Sequence, residues 1–270
     1  MLIRAGYEIC FQTDAPLVML LLLCTHPSRR DSVESEVLKM VPDMPMDVFS
    51  DAYGNQCARV AMPAGLITLR SDCLVRDSGH PDPVNPYAPQ CDAAELPVEA
   101  LHFLLSSRYC EVDRLSDLAW QLFGQTSLGW PRVQAVCDWV HANVRFGYEH
   151  ARPTKTAMDV YNERTGVCRD FTHLAITFCR ALNIPARYAT GYLGDIGVPP
   201  VDAPMDFSAW FEAYLGDRWY AFDARHNKPR IGRILMARGR DAVDAALTTS
   251  FGNAVLLKFV VWTDEVSGGG

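Results

Sequence analysis

No two of the nine cysteines stand at C-x-x-C spacing, and none pairs with histidine at the interval of a metal site. No metal or other cofactor is therefore expected. The thiols, at positions 10, 24, 57, 73, 91, 110, 137, 168 and 179, are odd in number and scattered, as reduced cysteines in a cytosol usually are. A cytoplasmic location is expected. Positive charge is also scarce: 25 basic residues against 32 acidic give a net charge of −7, and nothing forms the basic stripe that phosphate contacts require. This argues against a nucleic-acid partner.

Long apolar runs are missing as well. The strongest, Pro16 to Cys24, is too short to span a membrane. It lacks small residues before Cys24, and Glu8 and Asp14 precede it where a signal peptide carries positive charge, so it is read as a buried strand. No membrane partner is expected. What is present is 270 residues with 49% hydrophobic content, enough for a sizeable core in one or two domains.

Residues 1–90 read as an antiparallel β-domain. Ile3 to Gln12, Leu17 to Cys24 and Leu66 to Val75 are strand candidates, and Met46 to Asp51 and Gln56 to Met62 flank the hairpin signal Tyr53-Gly54-Asn55. His26 and His80 fall in polar connections and are expected in solvent. From His80 to Pro89 four prolines in ten residues exclude helix and central strand, which places a domain boundary here. A core over residues 91–266 follows, with helices at about 115–123, 131–145 and 157–163 and strands at 186–193, 207–215 and 218–224. A last strand, Leu256 to Asp264, is expected to close that sheet. Residues 267–270, Ser-Gly-Gly-Gly, are set aside as a flexible tail.

The core is organised around a helix that begins at a cysteine. Phe171, Leu174, Ala175, Phe178, Cys179 and Leu182 form an apolar stripe, while Arg169, His173, Thr177 and Arg180 take the other face. Gly166 breaks the chain before the helix and Pro185 lies beyond its end, so Cys168 sits in the first turn. Unpaired N–H groups and the helix dipole favour a thiolate there, and a thiolate is a nucleophile. The plainer reading is a small buried hydrophobe.

Leu215-Gly216-Asp217-Arg218 is compatible with a two-residue hairpin. Counting back from it puts Trp210 opposite Asp223, and alternation places Ser208, Trp210, Glu212, Trp219, Ala221 and Asp223 on one face, which the helix is expected to cover. Position 208 and Asp223 are then diagonal neighbours, a span that an imidazole bridges and a serine does not. The architecture is α+β, a helix packed on an antiparallel sheet.

Thr165-Gly-Val-Cys168-Arg-Asp-Phe, followed by Ala181-Leu-Asn-Ile-Pro-Ala-Arg-Tyr-Ala-Thr-Gly-Tyr192 and by Ala209-Trp-Phe-Glu-Ala-Tyr with Trp219-Tyr-Ala-Phe-Asp223, resembles the bacterial transglutaminase-like superfamily of cysteine peptidases and amidases. The resemblance implies a papain-like core after a small β-domain, and a peptide or protein amide as substrate. It implies Cys168 as nucleophile and Asp223 as the carboxylate that orients a histidine. That histidine's position is Ser208. Trp210 and Tyr192 are candidates for the walls of an acyl groove, or packing aromatics; Asp170 is a candidate substrate contact, or a carboxylate suited to the helix start.

Ser208 leaves three readings open: an engineered inactivation of an ordinary enzyme, a natural pseudoenzyme that binds a peptide-like ligand without cleaving it, or a rearranged site using His226. On the first, Ser208→His is expected to create or greatly raise amidase activity, and the chain as written is expected to be nearly inert. His173, rotated away from Cys168, is read as a surface or supporting histidine on the polar face, and His102, His141 and His150 as structural. The oligomeric state is left open.

Overall fold

The computed structural model describes residues 1–200 and 204–266; the tail expected at 267–270 lies outside them. Alternation shapes the first strands. In β1 (Leu2–Thr13) Ile3, Ala5, Tyr7, Ile9 and Phe11 point inward, and β2 (Leu17–Leu21) repeats the pattern. Next come β3 (Val33–Val41), β4 (Met46–Ser50), β5 (Gln56–Met62) and β6 (Gly65–Arg76). The turn between β4 and β5 is tied by Asp51, whose Oδ1 accepts from the N–H groups of Tyr53 at 2.8 Å and Asn55 at 2.9 Å. Strand β3 was not expected from the sequence. It is a sheet edge, with one neighbour and mostly exposed side chains, so its apolar residues follow no strict alternation. His26, expected in solvent, is buried, with Nδ1 accepting from the Ser28 N–H.

The proline-rich stretch carries no regular element until α1 (Val98–Leu101). Then follow α2 (Val112–Phe123), α3 (Trp130–Asn143), β7 (Arg145–Phe146), α4 (Ala157–Glu163), β8 (Thr165–Gly166) and α5 (Cys168–Ala181). The remaining strands are β9 (Ala186–Tyr192), β10 (Ser208–Leu215), β11 (Arg218–Phe222), β12 (Ile234–Gly239), β13 (Thr248–Phe251) and β14 (Ala254–Glu265). The core sheet runs β11-β10-β9-β12. The expectation that Leu256 to Asp264 closes it is corrected: β14 pairs along its length with β1, β13 pairs with β2, and β12 closes the core sheet. The last strands thus cross back over the boundary expected near residue 90. Their apolar alternation marked a strand but could not choose its partner.

Two expectations about α5 also change. Its apolar stripe packs with Ala209, Phe211, Ala213 and Phe222, so it covers the face of the sheet opposite Trp210. Its polar residues are not on a solvent face: His173, Thr177 and Arg180 are all buried. Arg180 donates to the carbonyls of Ala186 (2.8 Å), Arg240 (2.6 Å) and Leu105 (3.0 Å), and Ala242 N–H donates to Nε2 of His173. The polar face faces main chain instead of water. Arg180→Met should lower the unfolding free energy in urea by about 3 kcal/mol or more, since each orphaned buried acceptor costs about 1–3 kcal/mol. An unchanged urea midpoint would contradict this.

Candidate functional site

Cys168 is the first residue of α5, held there by the carboxylate of Asp170. Asp170 Oδ2 accepts from the Val167 N–H at 3.0 Å, and Oδ1 accepts from Arg169. The Asp170 side chain has no solvent exposure, so it caps the helix and reaches no substrate cavity. Gly166 leaves room for this cap, because a Cβ there would lie 2.6 Å from that of Asp170.

The sulfur faces the chain leading into β10. Cys168 Sγ lies 4.0 Å from the carbonyl oxygen of Phe207, and both residues line a cavity of about 320 Å³ together with Val167, Tyr188, Asp206 and Ser208. A second cavity, of about 240 Å³, is lined by Tyr148, Asp206, Phe207, Ser208, Arg225 and His226. Asp206, Phe207 and Ser208 belong to both linings, so this short segment is the ridge between them. No described residue before Phe146 lines either cavity.

The hairpin register is as counted: Leu215 pairs with Arg218 and Phe211 with Phe222, which sets Asp223 one step beyond, opposite Trp210. The chain then leaves the sheet. Asp223 Oδ1 accepts from the N–H groups of Arg225 (3.1 Å) and His226 (2.9 Å), and Asn227, at φ 50°, returns its N–H to the Asp223 carbonyl. This tight turn folds His226 back onto the carboxylate that starts it, with Nδ1 2.9 Å from Asp223 Oδ2. Arg233 donates to the same oxygen at 3.1 Å. Burial pushes the Asp223 carboxyl up, but the His226 hydrogen bond and the Arg233 charge outweigh it and hold the group well below the usual carboxylate range. Sequence alternation missed this placement because it stops at Phe222. The signal available was Asp-x-x-His-Asn, an aspartate able to cap its own turn.

Of the expected site residues, the structure brings Cys168 and Ser208 to one cavity and sets His226 on Asp223. Trp210 stays apart: it packs on the far face with Ala189 and Leu235, under the Arg233 guanidinium. Tyr192 is fully buried against Phe207 and reaches neither cavity.

The resting thiolate expected at the helix start is also corrected. Cys168 keeps some solvent contact, yet protein crowds the sulfur and burial pushes the thiol up to about 11. The Arg225 charge and the N–H groups of Ala209 and Arg169 favour ionisation, Asp206 opposes it, and desolvation wins. The ultraviolet thiolate absorbance that Cys168→Ala removes should therefore be absent at neutral pH and grow only as pH approaches about 11. A full signal at neutral pH would contradict this.

The geometry agrees with comparisons to known proteins. A family model described as "Transglutaminase-like superfamily" matches residues 118–224. A protein of Cytophaga hutchinsonii, solved as a candidate cysteine protease, is 31% identical with a TM-score of 0.85, over 100% of this chain and 92% of that one. An uncharacterised protein of Mycobacterium leprae is 28% identical over 121 residues, a stretch that spans only 42% of this chain and 42% of its own length. With its cysteine-headed helix on an antiparallel sheet, the chain belongs to the transglutaminase-like superfamily.

Proposed function

We propose that the chain transfers acyl groups from amide bonds of peptides or proteins, by way of a thioester on Cys168, to water or to an amine. The observation that carries this reading is the position of Cys168: first residue of a buried helix, sulfur toward a cavity, with a serine ridge beside it and an Asp223–His226 pair beyond. Sulfur attack on the carbonyl puts negative charge on oxygen. N–H groups at the start of α5 and of β10 are the donors suited to hold that charge. The first 90 residues supply scaffold rather than chemistry on this reading. All nine cysteines are free, which suits action in a reducing compartment, and no helix among the described residues is long and apolar enough to cross a membrane.

A second reading, peptide binding without cleavage, is favoured by the protonated resting thiol and by Ser208 in the position of the family base. Hydrolysis of a mixed peptide library separates the two. Cleavage should be measurable for the natural chain and fall on the order of 10⁴-fold or more in Cys168→Ala. Equal, background-level cleavage by both, with tight peptide binding retained, would establish the binding protein instead.

A further inference from the structure

We propose that Ser208 is a proton relay, passing the Cys168 thiol proton to the imidazole of His226. The inference rests on the reading of Cys168 as nucleophile. Three observations carry it. Cys168 and His226 line different cavities, and Ser208 lies on the ridge that lines both. The imidazole is aimed by a built turn: Asp223 accepts from Nδ1 at 2.9 Å and from two backbone N–H groups, and Arg225, within the turn, is pinned where its carbonyl oxygen meets His141 Nδ1 at 2.8 Å. An ionised Asp223 accepts only, so Nδ1 is the protonated nitrogen, and the neutral ring then carries its lone pair on Nε2. His226 is partly exposed, whereas the carboxylate behind it is buried. A structural histidine in this chain looks different: His173 is sealed in the core and uses Nε2 to accept a backbone N–H.

A serine hydroxyl suits the ridge because it donates and accepts at once; at rest Ser208 Oγ bonds to neither Cys168 Sγ nor His226 Nε2, so both links of the relay close only when substrate seats. As the sulfur lone pair bonds to the amide carbon, the Sγ–H proton moves to Ser208 Oγ and the hydroxyl's own proton moves to His226 Nε2; the carbonyl π electrons shift onto oxygen. Collapse of that intermediate breaks the C–N bond, and the leaving nitrogen takes a proton returned from Nε2 through Oγ. Water then adds to the thioester, giving up a proton by the same route. The C–S bond breaks and the sulfur is reprotonated. The net change is amide plus water to acid plus amine. A thiol that rests protonated needs such a base within the reaction step, since no preformed ion pair supplies the thiolate.

Asp206 is the competing base, a carboxylate on the same ridge and close enough to disfavour the thiolate. The experiment therefore includes it. The probe is p-nitrophenyl acetate, with nitrophenolate release timed and the acetyl group mapped to the Cys168 peptide. His226→Asn, which keeps a donor where Nδ1 stood but has no base at Nε2, should slow acetylation of Cys168 by about 10²–10⁴-fold. His226→Gly should show the same loss and recover with added imidazole, a rescue that a merely structural role does not predict. Ser208→Ala should lose most of the rate, and Ser208→Thr, which keeps the hydroxyl, should retain it. Circular-dichroism melts confirm that each variant is folded. Full-rate acetylation in His226→Asn, or a loss confined to Asp206→Asn, overturns the relay while leaving Cys168 as nucleophile. Failure of the natural chain to acetylate Cys168 overturns both.

Discussion

The site depends on one buried carboxylate. Asp223 is 2% exposed at its side chain, and an ionised group so placed is tolerable only when it is surrounded by donors. Here the donors are two backbone N–H groups, one imidazole and one guanidinium. Each tie fixes something else. The N–H groups close the turn after β11, the imidazole is aimed by it, and Arg233 carries the link on to Asp82 in the proline-rich stretch. Because the folded carboxyl ionises more readily than an unfolded one, this stabilisation is full above the unfolded carboxylate range. It is lost as pH falls toward the folded value.

The second constraint is the burial of α5 on all sides. A helix start donates N–H groups and partial positive charge, which argues for a thiolate at its first residue. The same packing that fixes the helix also desolvates the sulfur, and desolvation is the larger effect. The thiol is thus held in position but not ionised. Reactivity then passes to whatever takes its proton, which gives the serine ridge and the imidazole beyond it their importance.

Most of the fold was legible because periodicity reports which face is buried. The strands at 186, 208 and 218 and the helix at 168 all fall within a residue or two of their expected places. Periodicity is silent about what does the burying. Arg180 and His173 fell on the polar face of the helix, and nothing in a sequence reveals that main-chain carbonyls and N–H groups await them there. Likewise, β14 read as a strand of the core although its register partner is β1, more than 240 residues away in sequence. Position 208 lines one cavity with Cys168, although alternation counts it to the sheet face that α5 does not cover, and alternation could not follow the chain past Phe222. The turn that returns His226 to Asp223 is set by side-chain capping, a short-range signal with no period.

A proton inventory of Cys168 acetylation tests the central claim most directly, because it counts protons in flight during the step. Rates are measured in mixtures of light and heavy water. A relay through Ser208 moves two protons at once, so the account predicts a curve that bows below a straight line for the natural chain and straightens in His226→Gly. A straight line for the natural chain, signifying a single proton in motion, would contradict it.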